Sequence, residues 1–88
     1  MVTHNKIDIT ETADQELSEI PAGRQVQLVR ILAGLAMKER LAAMGLIPQG
    51  FFRIIRNEGQ GQVIVEIKGT RVILGRGMSG KIRVRNLD

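Results

Sequence analysis

The stretch Arg40-Leu41-Ala42-Ala43-Met44-Gly45-Leu46-Ile47-Pro48-Gln49-Gly50 constrains the chain more than any other, because a helix, its stop and a chain reversal follow one another without a gap. Met37, Leu41 and Met44 recur at spacings of four and three, which places them on one face of a short amphipathic helix over residues 36–44. Gly45 ends that helix. A glycine just past a helix takes the left-handed conformation, and the amide of Leu46 then bonds back to the Leu41 carbonyl while the two leucines pack together. Ile47-Pro48-Gln49-Gly50 follows as a type I turn, with Pro48 at its second position, and returns the chain into a strand beginning at Phe51.

On either side of this stretch the pattern is that of strands. Residues 25–31 alternate through Val26 and Leu28, with Val29 and Ile31 out of phase, which predicts a bulge or burial on both faces. Residues 51–57, 63–68 and 81–87 give further strands, the last with Ile82 and Val84 inward and Lys81, Arg83 and Arg85 outward. Lys68-Gly69-Thr70-Arg71 predicts a type II′ hairpin with Gly69 first in the loop, pairing Ile67 with Val72 and Val65 with Leu74. Five short strands with one short helix inserted after the first describe a mainly β fold, a small bent antiparallel sheet closed into a barrel of SH3 type.

A chain of 88 residues makes one domain, and a domain of this size buries only about 60% of its unfolded surface. The lack of cysteine removes disulfides and thiol chemistry and fits a reducing compartment. No apolar run approaches the roughly 20 residues a membrane span needs, and the first twenty residues are acidic and polar where a signal peptide is basic and then apolar. A soluble, cytoplasmic protein is therefore expected. The net charge of +4 is unevenly divided: residues 1–22 hold one base and five acids, whereas the rest holds twelve bases against four acids. Residues 1–16 read as an acidic extension and 17–88 as a basic domain, anchored where Leu17 and Ile20 enter the core. Such a field favours an acidic partner: nucleic acid, an anionic membrane surface or an acidic protein face.

Chemistry-bearing motifs are few. Gly75-Arg76-Gly77-Met78-Ser79-Gly80 matches G-x-G-x-x-G, but a dinucleotide fingerprint needs a helix at the loop and an acid about 20 residues later, and only eight residues follow Gly80. The glycines read instead as a tight, irregular connection between strands. His4 is the single imidazole and lies in the extension, and Asp8, Glu11, Asp14 and Glu16 lack a calcium-loop spacing, so no metal site and no cofactor are expected. Ser18 and Ser79 have no base to activate them, which points away from an enzyme.

Two surfaces remain as candidates for binding. Arg53, Arg71, Lys81, Arg83 and Arg85, with Arg56, form a basic face that suits a solvated surface, an acidic or membrane-proximal partner, or nucleic acid. Two phenylalanines and no tyrosine or tryptophan supply little stacking surface for single-stranded bases. On the helix, Ala42 and Ala43 point outward beside Lys38 and Arg40 and permit close approach by another protein, although alanine is equally the best helix former.

The chain resembles the ferrous-iron transport protein A family from about Leu17 to Val84. The resemblance is carried by Leu17-Ser18-Glu19-Ile20-Pro21-Ala22-Gly23, by Arg40 through Pro48 as quoted above, by Val65-Glu66-Ile67-Lys68-Gly69-Thr70-Arg71, and by Ile73-Leu74-Gly75-Arg76-Gly77-Met78 ending in Lys81-Ile82. Members of that family usually carry glycine directly after the proline that follows the helix; here Gln49 holds that place and Gly50 the next. The resemblance implies an SH3-like barrel and an accessory role in bacterial ferrous-iron uptake. It further implies contact with the membrane permease known as ferrous-iron transport protein B, which carries a cytoplasmic G-protein domain, at the inner face of the membrane. Self-association is compatible with it. Rival readings are a free-standing nucleic-acid-binding barrel and the C-terminal part of an iron-dependent regulator.

Overall fold

Alternating apolar residues give this chain strands that must each bury one face, and in the computed structural model, which describes residues 14–87, they do so on a single bent antiparallel sheet. Its six strands are β1 (Gln15–Glu16), β2 (Gln25–Ile31), β3 (Phe51–Asn57), β4 (Val63–Ile67), β5 (Thr70–Leu74) and β6 (Ile82–Asn86), in the order β1-β6-β2-β3-β4-β5. The sixth strand, beyond the five expected, is the two-residue β1, too short to show any alternation. β1 and β5 are the ends of the sheet, so it curves around its core without a ladder closing it. A 3₁₀ turn (Leu17–Glu19) follows β1, helix α1 (Leu35–Ala43) lies between β2 and β3, and α2 (Arg76–Ser79) is a single turn. Most of the acidic extension expected over residues 1–16 lies outside the described residues.

Two register shifts bend the sheet. One falls between Leu28 and Arg30 against β6, where the broken alternation predicts it, and the other between Ile54 and Arg56 against β4. Every strand but β1 sends residues inward, and Leu17 and Ile20 join them from the chain before β2. Of the two phenylalanines, Phe52 is core and Phe51 is exposed. Val72, at 9% exposure, is the least covered member of the core.

The helix ends as its sequence requires. Gly45 sits at φ +97°, the Leu46 amide donates to the Leu41 carbonyl at 2.9 Å and the Gly45 amide to the Ala42 carbonyl at 2.9 Å. Leu41 and Leu46 are both buried, but Met44, expected inward, is 38% exposed. The reversal at Gly45 carries Leu46 into the space beneath the helix end and leaves Met44 at its rim.

Two turns differ from the expected types. Gly50 donates to Ile47 at 3.0 Å with Gln49 at φ +73°, which makes Ile47–Gly50 a type II turn, not type I. The reason is its docking on β2: the Gln49 amide donates to the Leu28 carbonyl at 2.7 Å and the Leu28 amide to Gly50 at 2.9 Å. In the β4–β5 hairpin the loop is Lys68-Gly69, both at positive φ (50° and 84°), a type I′ turn that pairs Ile67 with Thr70 and Val65 with Val72. The expected register was displaced by two residues, which keeps every side chain on its own face. The observed one lets all five residues of β4 pair with all five of β5.

Candidate functional site

The end of α1 and the β4–β5 hairpin enclose a groove of about 740 Å³. It exists because Gly45 has no side chain: a Cβ there would stand 3.0 Å from Ile67 Cγ2, so glycine lets helix and hairpin touch. Ala43, Met44, Ile67, Val72 and Ile73 form its apolar lining, and Lys68, Thr70 and Arg71 edge it. Ile73 is 63% exposed, an apolar residue on the outward parity of β5. On the other flank of α1 a second cleft of about 340 Å³ is lined by Ile31, Leu32, Ala42, Leu46 and Pro48, with Arg30 and Lys38 at its edge. Both are apolar hollows edged by two cations and separated by the helix.

The four helix residues expected to meet a partner are not buried, but they do not share one surface. Ala43 belongs to the larger groove, Lys38 and Ala42 to the cleft, and Arg40 lines neither. The expected basic face is also divided. Arg83 donates to the Asp14 carboxylate and carbonyl at 2.8 and 2.9 Å, and Arg30 reaches the same carboxylate at 2.8 Å. Arg53 donates to the Gly23 carbonyl and Gln25, Arg85 to Gln27, and Arg56 pairs with Glu58 at 2.9 Å. Arg53 and Arg71 stand on one cross-strand row with Glu66 between them, and exposed Lys81 lies outside the strands. Polar and acidic residues are thus interleaved along what the sequence presents as a positive stripe.

The glycine-rich motif forms a helical turn, where an irregular connection was expected. Gly75 accepts from the Met78 and Ser79 amides at 3.0 and 2.9 Å, so the loop is spent on its own hydrogen bonds. Ser79 is fully buried and donates through Oγ to the Gly61 carbonyl, while the Arg76 guanidinium donates to Gln60 at 3.2 Å. Ser18 donates to the Glu16 carboxylate. Among the described residues no three His, Cys, Asp or Glu side chains gather as a metal site, and no helix is long and apolar enough to cross a membrane. Sequence reasoning missed Met44, Lys68 and Ile73 as groove residues. The one signal for them is Ile73, an apolar residue on the outward parity of β5 in either hairpin register.

A bent antiparallel sheet with one helix laid beside it and cation-edged apolar hollows defines a small SH3-like β-domain. The chain belongs to the FeoA domain family, whose model matches residues 15–86. It is 35% identical over 66 residues to the putative Fe(2+) transport protein A of Methanocaldococcus jannaschii, covering 75% of this chain and 79% of that protein. Its fold is similar to the crystal structure of an iron uptake regulatory protein, FeoA, with TM-score 0.77 and 31% identity over 84% of this chain and 99% of that one. A manganese-dependent transcriptional repressor shares the fold over 84% of this chain and 41% of its own length, with TM-score 0.74 and 25% identity.

Proposed function

We propose that this chain is a non-enzymatic accessory protein of ferrous-iron uptake that acts in the cytoplasm by contact with a membrane iron permease. The observation that carries the reading is the match of residues 15–86 to the FeoA domain, together with the Fe(2+) transport name of the Methanocaldococcus jannaschii relative. The apolar hollows beside α1 support contact as the mode of action, because exposed apolar surface edged by charge is what a docking face presents. Iron is cargo in this reading. The protein itself modulates the permease through its assembly or its nucleotide cycle.

The test is capture of the permease's cytoplasmic part by the purified chain, alongside ferrous-iron uptake in cells. Ala43→Arg fills the larger groove and Ala42→Arg the cleft, both at exposed helix positions. At least one is expected to lower capture and uptake tenfold with unchanged thermal stability. Wild-type capture and uptake by both variants would remove these surfaces, and absence of capture by the parent chain would remove the reading. A second reading, a domain of a metal-responsive regulator, draws on the likeness to the manganese-dependent repressor. Deleting the gene would then alter metal-responsive transcription, whereas the first reading expects impaired uptake with transcripts unchanged.

A further inference from the structure

We propose that the open edge of β5 takes up an extended segment of a partner protein as an added strand, the segment alternating apolar with acidic residues. The inference rests on the docking reading above and specifies its surface and the chemistry of its occupant.

β5 is the last strand of the sheet on its side. In a two-residue hairpin the residues flanking the loop form a hydrogen-bonded pair, and such pairs alternate along the ladder. Since Ile67 pairs with Thr70, the backbone groups of Thr70, Val72 and Leu74 face β4, and those of Arg71 and Ile73 face outward. Among the described residues, neither Arg71 nor Ile73 takes part in the backbone bonds made by turns and loops. Two amides and two carbonyls are therefore presented in strand geometry along the edge.

Exposed edges invite pairing, and proteins blunt them with prolines, bulges or several charges. β5 has no proline, its register against β4 runs without a shift, and Arg71 is its single charge. Five residues span about 17 Å at ~3.4 Å each, room for four or five residues of a visiting strand. The groove lies along this edge, so alternate side chains of that strand would drop against Met44, Ile67 and Val72, the last being the thinly covered point of the core. The others would lie on the outer face beside Arg71 and Ile73. Parity thus assigns apolar residues to one side of the visiting strand.

Charge assigns the rest. Lys68 and Arg71 both edge the groove, and none of the ion pairs among the described residues engages either of them. Acidic side chains on the outer face would meet Arg71 directly, with Lys68 at the hairpin end, while Glu66 lies one strand further in, on the far side of Arg71. A second copy of this chain would bring two more cations to the same place, so an acidic partner segment is favoured over self-pairing.

The experiment uses the full chain, isotope-labelled, and a synthetic eight-residue peptide alternating Val and Glu, with a Val and Lys peptide as control. Saturating Val-Glu peptide is expected to slow hydrogen exchange at the Arg71 and Ile73 amides at least tenfold and to leave Val72 and Leu74, already in the ladder, unchanged. Arg71→Glu should weaken binding at least tenfold. Ile73→Pro, which removes an outward amide and leaves the β4 ladder intact, should abolish it, with folding of both variants checked by their thermal transitions. Unchanged exchange at millimolar peptide would overturn the proposal, as would equal binding of the Lys peptide or undiminished binding by Arg71→Glu. Protection of the same amides without peptide, rising with protein concentration, would identify a second copy as the occupant and overturn it too. If the peptide fails while the permease is still captured, strand addition alone is wrong; if both fail, docking is wrong.

Discussion

Replacing Gly45 by alanine tests the joint between helix and hairpin, and its effect can be worked from two separate terms. The first is conformational: Gly45 lies at φ +97°, where an L-residue costs about 1–2 kcal/mol, less the roughly 0.4–1 kcal/mol gained by stiffening the unfolded chain. The second is steric: the new Cβ would meet Ile67 Cγ2 at 3.0 Å, and Ile67 is only 4% exposed, so it has little room to retreat. Overpacking of that kind costs about 1–3 kcal/mol. Together they give a loss of about 1–4.6 kcal/mol, a large share of the roughly 4–13 kcal/mol available to a domain of this size. In urea denaturation the midpoint should fall by about 1 M or more, taking a slope near 1 kcal/mol/M. Gly23→Ala is the matched control, because Gly23 has φ +93° and a Cβ added there would meet nothing within 4 Å. It should lose only about 1 kcal/mol or less. Equal losses at the two positions, or a loss at Gly45 below about 1 kcal/mol, would refute the steric argument, and a gain in stability at Gly23 would refute the conformational one.

Three further substitutions probe other joints. Gln49→Gly relieves the left-handed backbone of the type II turn and should raise stability by about 0.5–1 kcal/mol, read as a higher urea midpoint; a fall would show that the Gln49 side chain matters more than its φ. Asn57 donates through Nδ2 to the Ser18 and Ile20 carbonyls at 2.9 and 2.7 Å. Asn57→Asp turns both donors into an acceptor facing two carbonyls and should cost about 2–3 kcal/mol by the same assay, whereas no loss would place those carbonyls in water. Asp14→Asn weakens the pairing with Arg83 and Arg30 and should lower the melting temperature by a few degrees in dilute buffer, equivalent to about 1 kcal/mol, with the difference shrinking in molar salt. A loss independent of salt would show that hydrogen bonding, not charge, holds that corner.

Local chemistry by itself determined several features of this chain. A glycine after Met44 must stop the helix, because only a residue without Cβ turns left-handed there at no cost, and the Leu41–Leu46 closure followed. Residue parity assigned Val26, Leu28, Ile82 and Val84 to the core, and the break in alternation after Leu28 marked the place of a bulge or of burial on both faces, of which the structure has the bulge. The family resemblance was carried by short local stretches of the same kind.

Other features depend on partners distant in sequence, and these only the tertiary structure decided. Loops Lys68-Gly69 and Gly69-Thr70 both preserve the faces of β4 and β5, so local pattern cannot choose between them; full pairing of the two strands does. Gln49 takes a positive φ because Leu28, on another strand, binds both sides of its turn. Arg83 belongs with Asp14 because β1 pairs with β6, and Ala43 and Lys38 part company because the hairpin occupies one flank of the helix and β2 the other. Backbone preference and side-chain parity act between neighbours along the chain, whereas pairing, burial and charge neutralisation are settled by whichever distant segments cover one another.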